Sequence, residues 1–264
     1  MIYFLLLLIL PIATFTTLPR TNAQSITWST VTSPTTSNLY SVFCVSSSDC
    51  WAVGYHAIVQ WNGSSWANVT SPTTSNLRSV FCVSSSDCWA VGNGGTSGGG
   101  LIVQWNGSSW ATVTIPAINA LTSVSCVSST DCWAVGWSGL IVQWNGSSWA
   151  MVTSPTSDNL WSMFCVSSNN CWSVGYDETT NLGTTVQWNG SSWAMVASPE
   201  SNFLDSVFCL SSSDCWAVGY GFIAQWSGSS WSTVTSPASS FLNSIYCIST
   251  TDCWAVGAGG TIIH

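Results

Sequence analysis

The sequence predicts an all-β fold, namely a six-bladed β-propeller built from four-stranded blades. The first observation is a repeat of about 40 residues, which is typical of repeat architectures and runs through nearly all of the 264-residue chain. The second is that each repeat carries short segments rich in Val, Ile, Trp and Thr, which favour strands. The third is that the two incomplete terminal repeats complement one another.

Four strand signals follow one another in the clearest repeat, at 77–116. Strand a is LRSVFC (77–82), strand b is CWAVG (88–92), strand c is IVQW (102–105) and strand d is SSWATVT (108–114). Short runs of β-branched and aromatic residues separated by turn residues are typical of antiparallel strands. The letters a to d denote these positions in every blade below.

Strands c and d are joined by Asn-Gly in four of the repeats, for example by Asn106-Gly107. Asn-Gly between apolar strands predicts a two-residue hairpin with a type I′ turn, in which Trp105 pairs with Ser108. The Asn-Gly-Ser triplets also match the N-glycosylation sequon. We interpret them as turn residues, because the hairpin alone accounts for their recurrence.

Strands a and b are joined by segments such as CVSSSDC, in which two cysteines flank a short turn. Their Cβ atoms come within bonding reach, which predicts a disulfide in each repeat. Zinc is the alternative, but its sites prefer two to four residues between paired cysteines, so we expect no metal site. The Asp before the second cysteine is interpreted as a turn residue, with a cation-binding ring of Asp as the alternative. The predicted disulfides are Cys44–Cys50, Cys82–Cys88, Cys126–Cys132, Cys165–Cys171, Cys209–Cys215 and Cys247–Cys253.

The two ends of the chain predict how the ring closes. The last repeat supplies strands a, b and c, and we align His264 with Trp61, the last residue of a strand c. The N-terminal segment at 25–34 matches strand d, with Trp28 in the place of Trp66. We therefore expect the N-terminal strand to join the C-terminal blade, which would remove the exposed sheet edge.

Residues 1–23 are predicted to be a signal peptide, so that the propeller occupies residues 24–264. The apolar run at 2–15 is too short to span a membrane comfortably, and Thr21-Asn22-Ala23 offers a small-residue cleavage site. No Lys or Arg precedes the run, and an uncleaved anchor is the alternative. Twelve regularly paired cysteines suit an oxidising compartment, so the protein is expected to be secreted.

The charge balance restricts the partners. The chain has two basic and ten acidic residues, which gives a net charge of −8. Binding to nucleic acid or to an anionic membrane surface needs clustered Lys and Arg, so we expect neither partner beyond the signal segment's membrane contact. The expected partner is a protein or a glycan, bound by a monomer without a cofactor.

The pattern LxSVxC, CWAVG and IVQWNGSSW resembles the repeats of photosystem II assembly-factor and Asp-box (BNR-like) propellers, and it is similar to kelch repeats. The resemblance covers about residues 25–264 and implies a propeller rather than one activity. The Asp of the Asp-box hairpin is Asn here, as at Asn106. Sialidases of this architecture use an arginine cluster, and the assembly factors have an arginine-rich patch. Residues 24–264 of this sequence contain one arginine, Arg78. Copper chemistry of the galactose-oxidase kind would need more His than His56 and His264.

The face formed by the b–c and d–a connections is the predicted ligand surface, because the opposite face repeats almost unchanged. Two b–c loops are long, at 93–100 and 176–185. The second residue of strand a differs in every blade and is expected to ring the mouth of the central channel, with drift at a tolerant surface position as the alternative. The candidate ligand-binding residues are Tyr40, Arg78, Thr122, Trp161, Asp205 and Asn243 in this ring, and Trp137, Tyr176, Asp177 and Glu178 in the b–c connections.

Three functions are compatible with these residues. We favour a non-catalytic binding or scaffold propeller, because the scarcity of His leaves no set of nucleophile, base and acid, and we assign no catalytic residue. The second function is a lectin-like carbohydrate binder, in which Trp and Tyr side chains of this face stack on sugar rings. The third is a glycoside hydrolase or lyase at the channel mouth, with Asp177, Glu178 or Asp205 as paired carboxylates.

Overall fold

The computed structural model describes residues 30–94, 98–116, 119–198 and 202–264. These residues form six antiparallel sheets, which confirms the six-bladed β-propeller. Five sheets have four strands each, and the sixth has three strands within the described residues. The fourth strand expected for that blade, around Trp28, lies outside the described residues, as does the predicted signal peptide. The propeller unit runs from Thr32 to His264.

Each blade uses consecutive strands, so neighbours in sequence are neighbours in the sheet. The strands are β1 Leu39–Ser46, β2 Asp49–Gly54, β3 Ala57–Trp61 and β4 Trp66–Val69 in blade 1; β5 Asn76–Ser84, β6 Asp87–Gly94, β7 Gly99–Trp105 and β8 Trp110–Val113 in blade 2; β9 Leu121–Ser128, β10 Asp131–Gly136, β11 Ile141–Trp144 and β12 Trp149–Met151 in blade 3; β13 Asn159–Ser167, β14 Asn170–Tyr176, β15 Gly183–Trp188 and β16 Trp193–Val196 in blade 4; β17 Leu204–Ser211, β18 Asp214–Gly219, β19 Phe222–Trp226 and β20 Trp231–Val234 in blade 5; and β21 Leu242–Ser249, β22 Asp252–Gly257 and β23 Ile262–Ile263 in blade 6.

All six predicted disulfides form. The paired cysteines lie directly opposite one another on strands a and b, as Cys82 and Cys88 do, with 3.9 Å between their Cα atoms. No cysteine among the described residues is free. Each disulfide closes a short loop and stabilises the fold by about 2 kcal/mol, because it reduces the conformational entropy of the unfolded chain. Each a–b hairpin therefore has its own covalent link.

The hairpins between strands c and d lie where predicted, but the predicted type I′ turn is wrong. Trp105 pairs with Trp110 rather than with Ser108, so four residues form the connection instead of two. The side chain of Asn106 explains the difference, because its Oδ1 accepts hydrogen bonds from the N–H groups of Ser108 and Ser109. This capped turn, with φ of 92° at Gly107, places both Trp side chains of the hairpin next to each other.

A tryptophan of strand b forms the centre of each inter-blade contact. Trp51 is fully buried, and its ring centroid lies 4.7 Å from that of Trp105 and 5.2 Å from that of Trp110 in the next blade. The leucine and valine that open the next strand a, Leu77 and Val80, complete the same apolar cluster. Equivalent clusters follow between the later blades, so successive blades share their hydrophobic cores.

The serine of the LxSV signal joins neighbouring blades by hydrogen bonds. Ser123 Oγ accepts a bond of 3.1 Å from the N–H of Met163 in the next blade. Strands a of adjacent blades do not pair in one sheet, so this N–H would otherwise lack a strand partner. Five such bonds occur, from Val80 to Ser41, Val124 to Ser79, Met163 to Ser123, Val207 to Ser162 and Ile245 to Ser206.

The repeated Asp before the second cysteine has a structural partner. Asp49 Oδ1 accepts a hydrogen bond of 3.2 Å from Nε2 of Gln60 in strand c, and three further blades repeat this pair. His264 takes the place of this glutamine, since its Nε2 lies 3.2 Å from Oδ1 of Asp252. The alignment of His264 with Trp61 is therefore wrong by one residue, because a longer b–c turn, Ala258–Gly260, precedes the last strand.

Helical structure is scarce in the described residues, where it consists of the short 3-10 turns Trp137–Gly139 and Ala258–Gly260. No helix of the described part has the length and apolar character needed to cross a bilayer. Likewise, His, Cys, Asp and Glu side chains form no group suited to hold a metal ion within the described ranges.

The serine bonds give the first testable prediction. Ser123→Ala should lower the free energy of unfolding by about 1–3 kcal/mol, because it leaves the buried N–H of Met163 without its acceptor. Ser129→Ala in the exposed a–b turn of the same blade is the matched control and should change stability by less than about 0.5 kcal/mol. Denaturant unfolding with intact disulfides measures both values. Equal effects of the two variants would contradict the role given to Ser123.

Candidate functional site

The variable residue of strand a is the extra residue of a β-bulge. In blade 2, Leu77 pairs with Gly92 and Ser79 pairs with Val91, so Arg78 is skipped by the pairing. The same register shift occurs at Tyr40, Thr122, Trp161, Asp205 and Asn243. A bulge leaves one residue unpaired, bends the strand locally and changes the direction of a side chain. Strand pairing therefore constrains the residue type at these positions only weakly, which explains why each blade carries a different residue there.

Four of the candidate residues form one cluster across blades 2, 3 and 4. The guanidinium carbon of Arg78 lies 5.7 Å from the ring centroid of Trp137 and 6.0 Å from that of Trp161. The Trp161 ring is nearly parallel to that of Tyr176, with an angle of 16° and 5.9 Å between centroids. Cation–π attraction and ring stacking thus hold side chains from three blades together.

Aromatic contacts continue from this cluster into blades 5 and 6. Tyr176 meets Phe203 edge-on at 4.3 Å, Phe203 lies 6.2 Å from Phe241, and Phe241 packs on Tyr220 at 4.6 Å. Trp137, Phe241 and Tyr220 remain 37–47 % exposed. A continuous exposed apolar strip on a protein surface is typical of an interaction site. We call this set the aromatic row, which comprises Trp137, Trp161, Tyr176, Phe203, Phe241 and Tyr220.

Hydrogen bonds fix the two b–c connections that carry part of the row. The N–H of Trp137 donates to the carbonyl oxygen of Ala120 at 3.0 Å, and the N–H of Ser138 donates to Oδ1 of Asn159 at 2.8 Å. Asn159 Nδ2 in turn donates to Oε1 of Glu178 at 2.6 Å. Asn159 therefore links the b–c turn of blade 3, which carries Trp137, to the b–c loop of blade 4, which carries Tyr176.

The predicted carboxylates have separate roles. Asp177 caps its own loop by accepting hydrogen bonds from Thr179 N–H and Thr180 Oγ1, and these bonds lower its pKa. Glu178 accepts from Asn159 instead. Burial raises the pKa of Asp205 to about 6. Burial also raises the pKa of Tyr176, with smaller contributions from the charges of Asp205 and Glu178.

The other predicted ring residues stand apart from this cluster. Thr122 is buried, and its hydroxyl lies within hydrogen-bonding distance of the carbonyl oxygens of Leu160 and Val135, so it serves the blade contact. Tyr40 is 50 % exposed on blade 1, and Asn243 is exposed on blade 6. The long loop at 93–100 includes residues 95–97, which lie outside the described residues.

Sequence reasoning missed Tyr220, Phe203, Phe241 and Asn159. Tyr220 directly follows the last glycine of strand b, and the other three occupy the position just before the leucine of strand a, where other blades have Asn or Ala. Comparison of this column between repeats would have found the two aromatic replacements. The column lies on the same edge as the bulge residue, so a change there extends the same surface.

Comparisons with known proteins add information about the fold. No protein-family model matches the chain. No curated protein matches it either. A structure of YCF48 bound to D1 peptide is similar over 86 % of this chain and 76 % of that chain, with a TM-score of 0.65 and 16 % identity. YCF48 from Cyanidioschyzon merolae has a TM-score of 0.67 and 14 % identity, covering 88 % of this chain and 83 % of its own.

A third solved structure, that of U3-55K, has a TM-score of 0.70 at 12 % identity, covering 88 % of this chain and 77 % of that chain. Identities this low show the β-propeller fold alone. They agree with the resemblance to photosystem II assembly-factor propellers at the level of architecture.

Asp205 gives a pH-dependent prediction. Its folded pKa of about 6 lies above the value of about 3.9 expected in an unfolded chain, so the folded state holds the proton more tightly. The resulting stabilisation is complete below pH 4 and is lost as the pH rises through 6. Since the carboxyl is partly exposed, the loss should be about 1–2 kcal/mol.

Unfolding free energies at pH 4 and pH 7 measure this component. Asp205→Asn should abolish it, because the amide does not titrate. Asp177→Asn serves as a control with the opposite sign, since the lowered pKa of Asp177 stabilises the protein at higher pH. An unchanged pH profile in Asp205→Asn would contradict the assignment.

Proposed function

We propose that the protein is a non-catalytic binding propeller, which holds an extended segment of a protein partner against the aromatic row. The observation that carries the proposal is the row itself, in which aromatic rings contact one another from Trp161 to Tyr220 across blades 4 to 6, and Arg78 joins them to Trp137 of blade 3. Aromatic residues and Arg are enriched among the residues that dominate binding energies at protein interfaces.

The backbone positions of the row residues favour binding without a large conformational change of the protein. The row residues sit on strand ends, on bulges or in loops tied by hydrogen bonds, as Trp137 is tied by its N–H. Ordering a loop or a flexible side chain costs free energy on association. A surface whose side chains already contact one another avoids much of that cost.

Several groups of the face define the chemistry of the partner. Arg78 is the one basic residue of the propeller's sequence range, and Asp205 and Glu178 lie close enough to Tyr176 to affect its pKa. An extended peptide segment with apolar side chains suits this combination of aromatic, basic and acidic groups, because its backbone also offers hydrogen-bond donors and acceptors. Support also comes from the YCF48 structure, in which a protein of the same fold is bound to a peptide.

A lectin-like function is the second candidate. The near-parallel rings of Trp161 and Tyr176 and the exposed Trp137 could stack on sugar rings, while carboxylates accept bonds from hydroxyl groups.

A hydrolase is the third candidate, and Asp205 is the group that it would use, because a raised pKa suits a proton donor at neutral pH. Asp177 and Glu178 are committed to loop contacts, which favours binding over catalysis.

The six disulfides are typical of extracytoplasmic proteins. We place the binding reaction outside the cytoplasm, with a monomeric protein released by removal of residues 1–23. Intact mass of the secreted protein tests the cleavage site and the six disulfides together.

The function is tested with two probes, a displayed random-peptide library and a glycan array. Peptides enriched by the wild-type protein should bind Trp161→Ala at least 30-fold more weakly, as expected for a central aromatic contact worth about 2 kcal/mol. Tyr246→Ala, which removes an exposed aromatic residue outside the row, should leave binding unchanged. Glycan binding lost in Trp161→Ala would favour the lectin, and no binding to either probe would refute a ligand site at the row.

A further inference from the structure

Asp205 is an acidic side chain without a partner. Every other acidic residue in the described part of the chain accepts at least one hydrogen bond, as Asp177 does from its own loop and Asp214 does from Gln225. No described residue donates a hydrogen bond to Asp205 or forms an ion pair with it. Asp205 is half-buried, and a carboxylate in such a position is costly to keep charged without a donor or a cation.

The pKa of Asp205 reflects this lack of a counter-ion. Burial raises the pKa to about 6. A cation within about 4–6 Å would have the opposite effect, because it stabilises the charged form. Arg78, which is the one Lys or Arg residue at 24–264, lies over the rings of Trp137 and Trp161 instead. The carboxyl group is therefore open to a cation that comes from outside the chain.

Aromatic rings of two blades lie beside Asp205. Phe203, two residues earlier in the chain, meets Tyr176 of blade 4 edge-on, with 4.3 Å between ring centroids and an angle of 88°. The charge of Asp205 contributes to the raised pKa of Tyr176, after the larger effect of burial, so the carboxyl group and the phenol are close in space. A carboxylate beside aromatic rings offers both the ionic attraction and the cation–π attraction that bind an organic cation.

The row already holds one cation that belongs to the chain itself. The guanidinium carbon of Arg78 lies 5.7 Å from the ring centroid of Trp137 and 6.0 Å from that of Trp161, and no described residue forms an ion pair with it. Aromatic rings of this face therefore accept a cationic group without the help of a carboxylate. Beside Asp205, similar rings are accompanied by a negative charge, which makes that position more favourable for a cation.

A metal ion is the less suitable cation. Calcium takes about six to eight oxygen ligands. The described residues contain no group of His, Cys, Asp and Glu side chains suited to a metal, and Glu178 is held by Asn159. An ammonium or guanidinium group needs only one carboxylate, and its apolar stem can pack on the rings of Tyr176 and Phe203. The chemistry of the position therefore favours a basic side chain.

We propose that Asp205, Tyr176 and Phe203 form a binding site for the cationic side chain of a Lys or Arg residue in the partner segment. This inference rests on the proposed function and deepens it, because it names a residue type that the segment must carry. The cationic group lies against the carboxylate, and its stem packs on the two rings. Arg78 lies three blades away and is positive, so the two charges together set the direction in which the segment lies along the row.

Peptides that the wild-type protein enriches from the random library test this site. They should share a Lys or Arg at a constant distance from their apolar residues. One such peptide is made with an acetylated N-terminus, with either its basic residue or norleucine, which keeps an apolar stem without the charge. Both peptides are measured against the wild-type protein and Asp205→Asn, which gives a double-mutant cycle on the dissociation constant.

Each single change should weaken binding about 10-fold or more, because it leaves one charge of a partly buried pair without its partner. The two changes together should weaken binding by little more than either alone. The matched control is Asp214→Asn, which removes the same charge from the same blade at a position where blade 4 has Asn170. This control should bind both peptides as the wild-type protein does.

The results separate the cation site from the proposed function. Enriched peptides that lack a basic residue, or an Asp205→Asn variant that affects both peptides equally or neither, overturn the cation site. Binding that still depends on Trp161 would leave the proposed function standing in that case. If the library yields no binding peptide, both the proposed peptide partner and the cation site are wrong.

Discussion

The packing of one tryptophan between two others is the interaction on which this structure depends. The strand-b tryptophan of one blade, such as Trp89, lies against Trp144 and Trp149 of the next blade and is fully buried. With few charged residues, the chain gains its stability chiefly from apolar contacts and disulfides. Aromatic pairs of this geometry contribute beyond the area they bury. The spacing and angle between blades follow from these contacts, and with them the positions of the loops above.

This arrangement separates structural residues from those free to vary. The Asn-Gly turns, the Asp–Gln pairs and the inter-blade serines each satisfy a backbone or side-chain group that recurs in most blades. The bulge residues satisfy no such repeated demand. Arg78, Trp161 and Asp205 can therefore differ between blades at little cost to the fold, and this freedom would allow one side of the propeller to carry the proposed binding site.

Much of the fold could be predicted because its signals are local and repeated. The cysteine spacing places six hairpins, and the Val- and Trp-rich runs place their strands. The type I′ turn could not be predicted correctly, because Asn106 uses its side chain to cap a longer turn. The position of His264 was predicted incorrectly because the b–c turn Ala258–Gly260 is one residue longer than that of blade 1 and matches the turn Trp137–Gly139 of blade 3 instead. The candidate site remains a prediction of separate positions, because the contact between Arg78 and Trp137 depends on the angle between blades, which no local pattern records.

The coupling between tryptophans of adjacent blades tests this account most directly. A double-mutant cycle on Trp89 and Trp149, whose ring centroids are 5.3 Å apart, measures it through the unfolding free energies of the two single variants and the double variant. Replacing each residue with Leu keeps the site apolar while removing the ring. The account predicts a coupling free energy of about 0.5–1.5 kcal/mol. Costs that add without coupling would show that the blades are held together by burial alone, and that the tryptophan geometry does not set their arrangement.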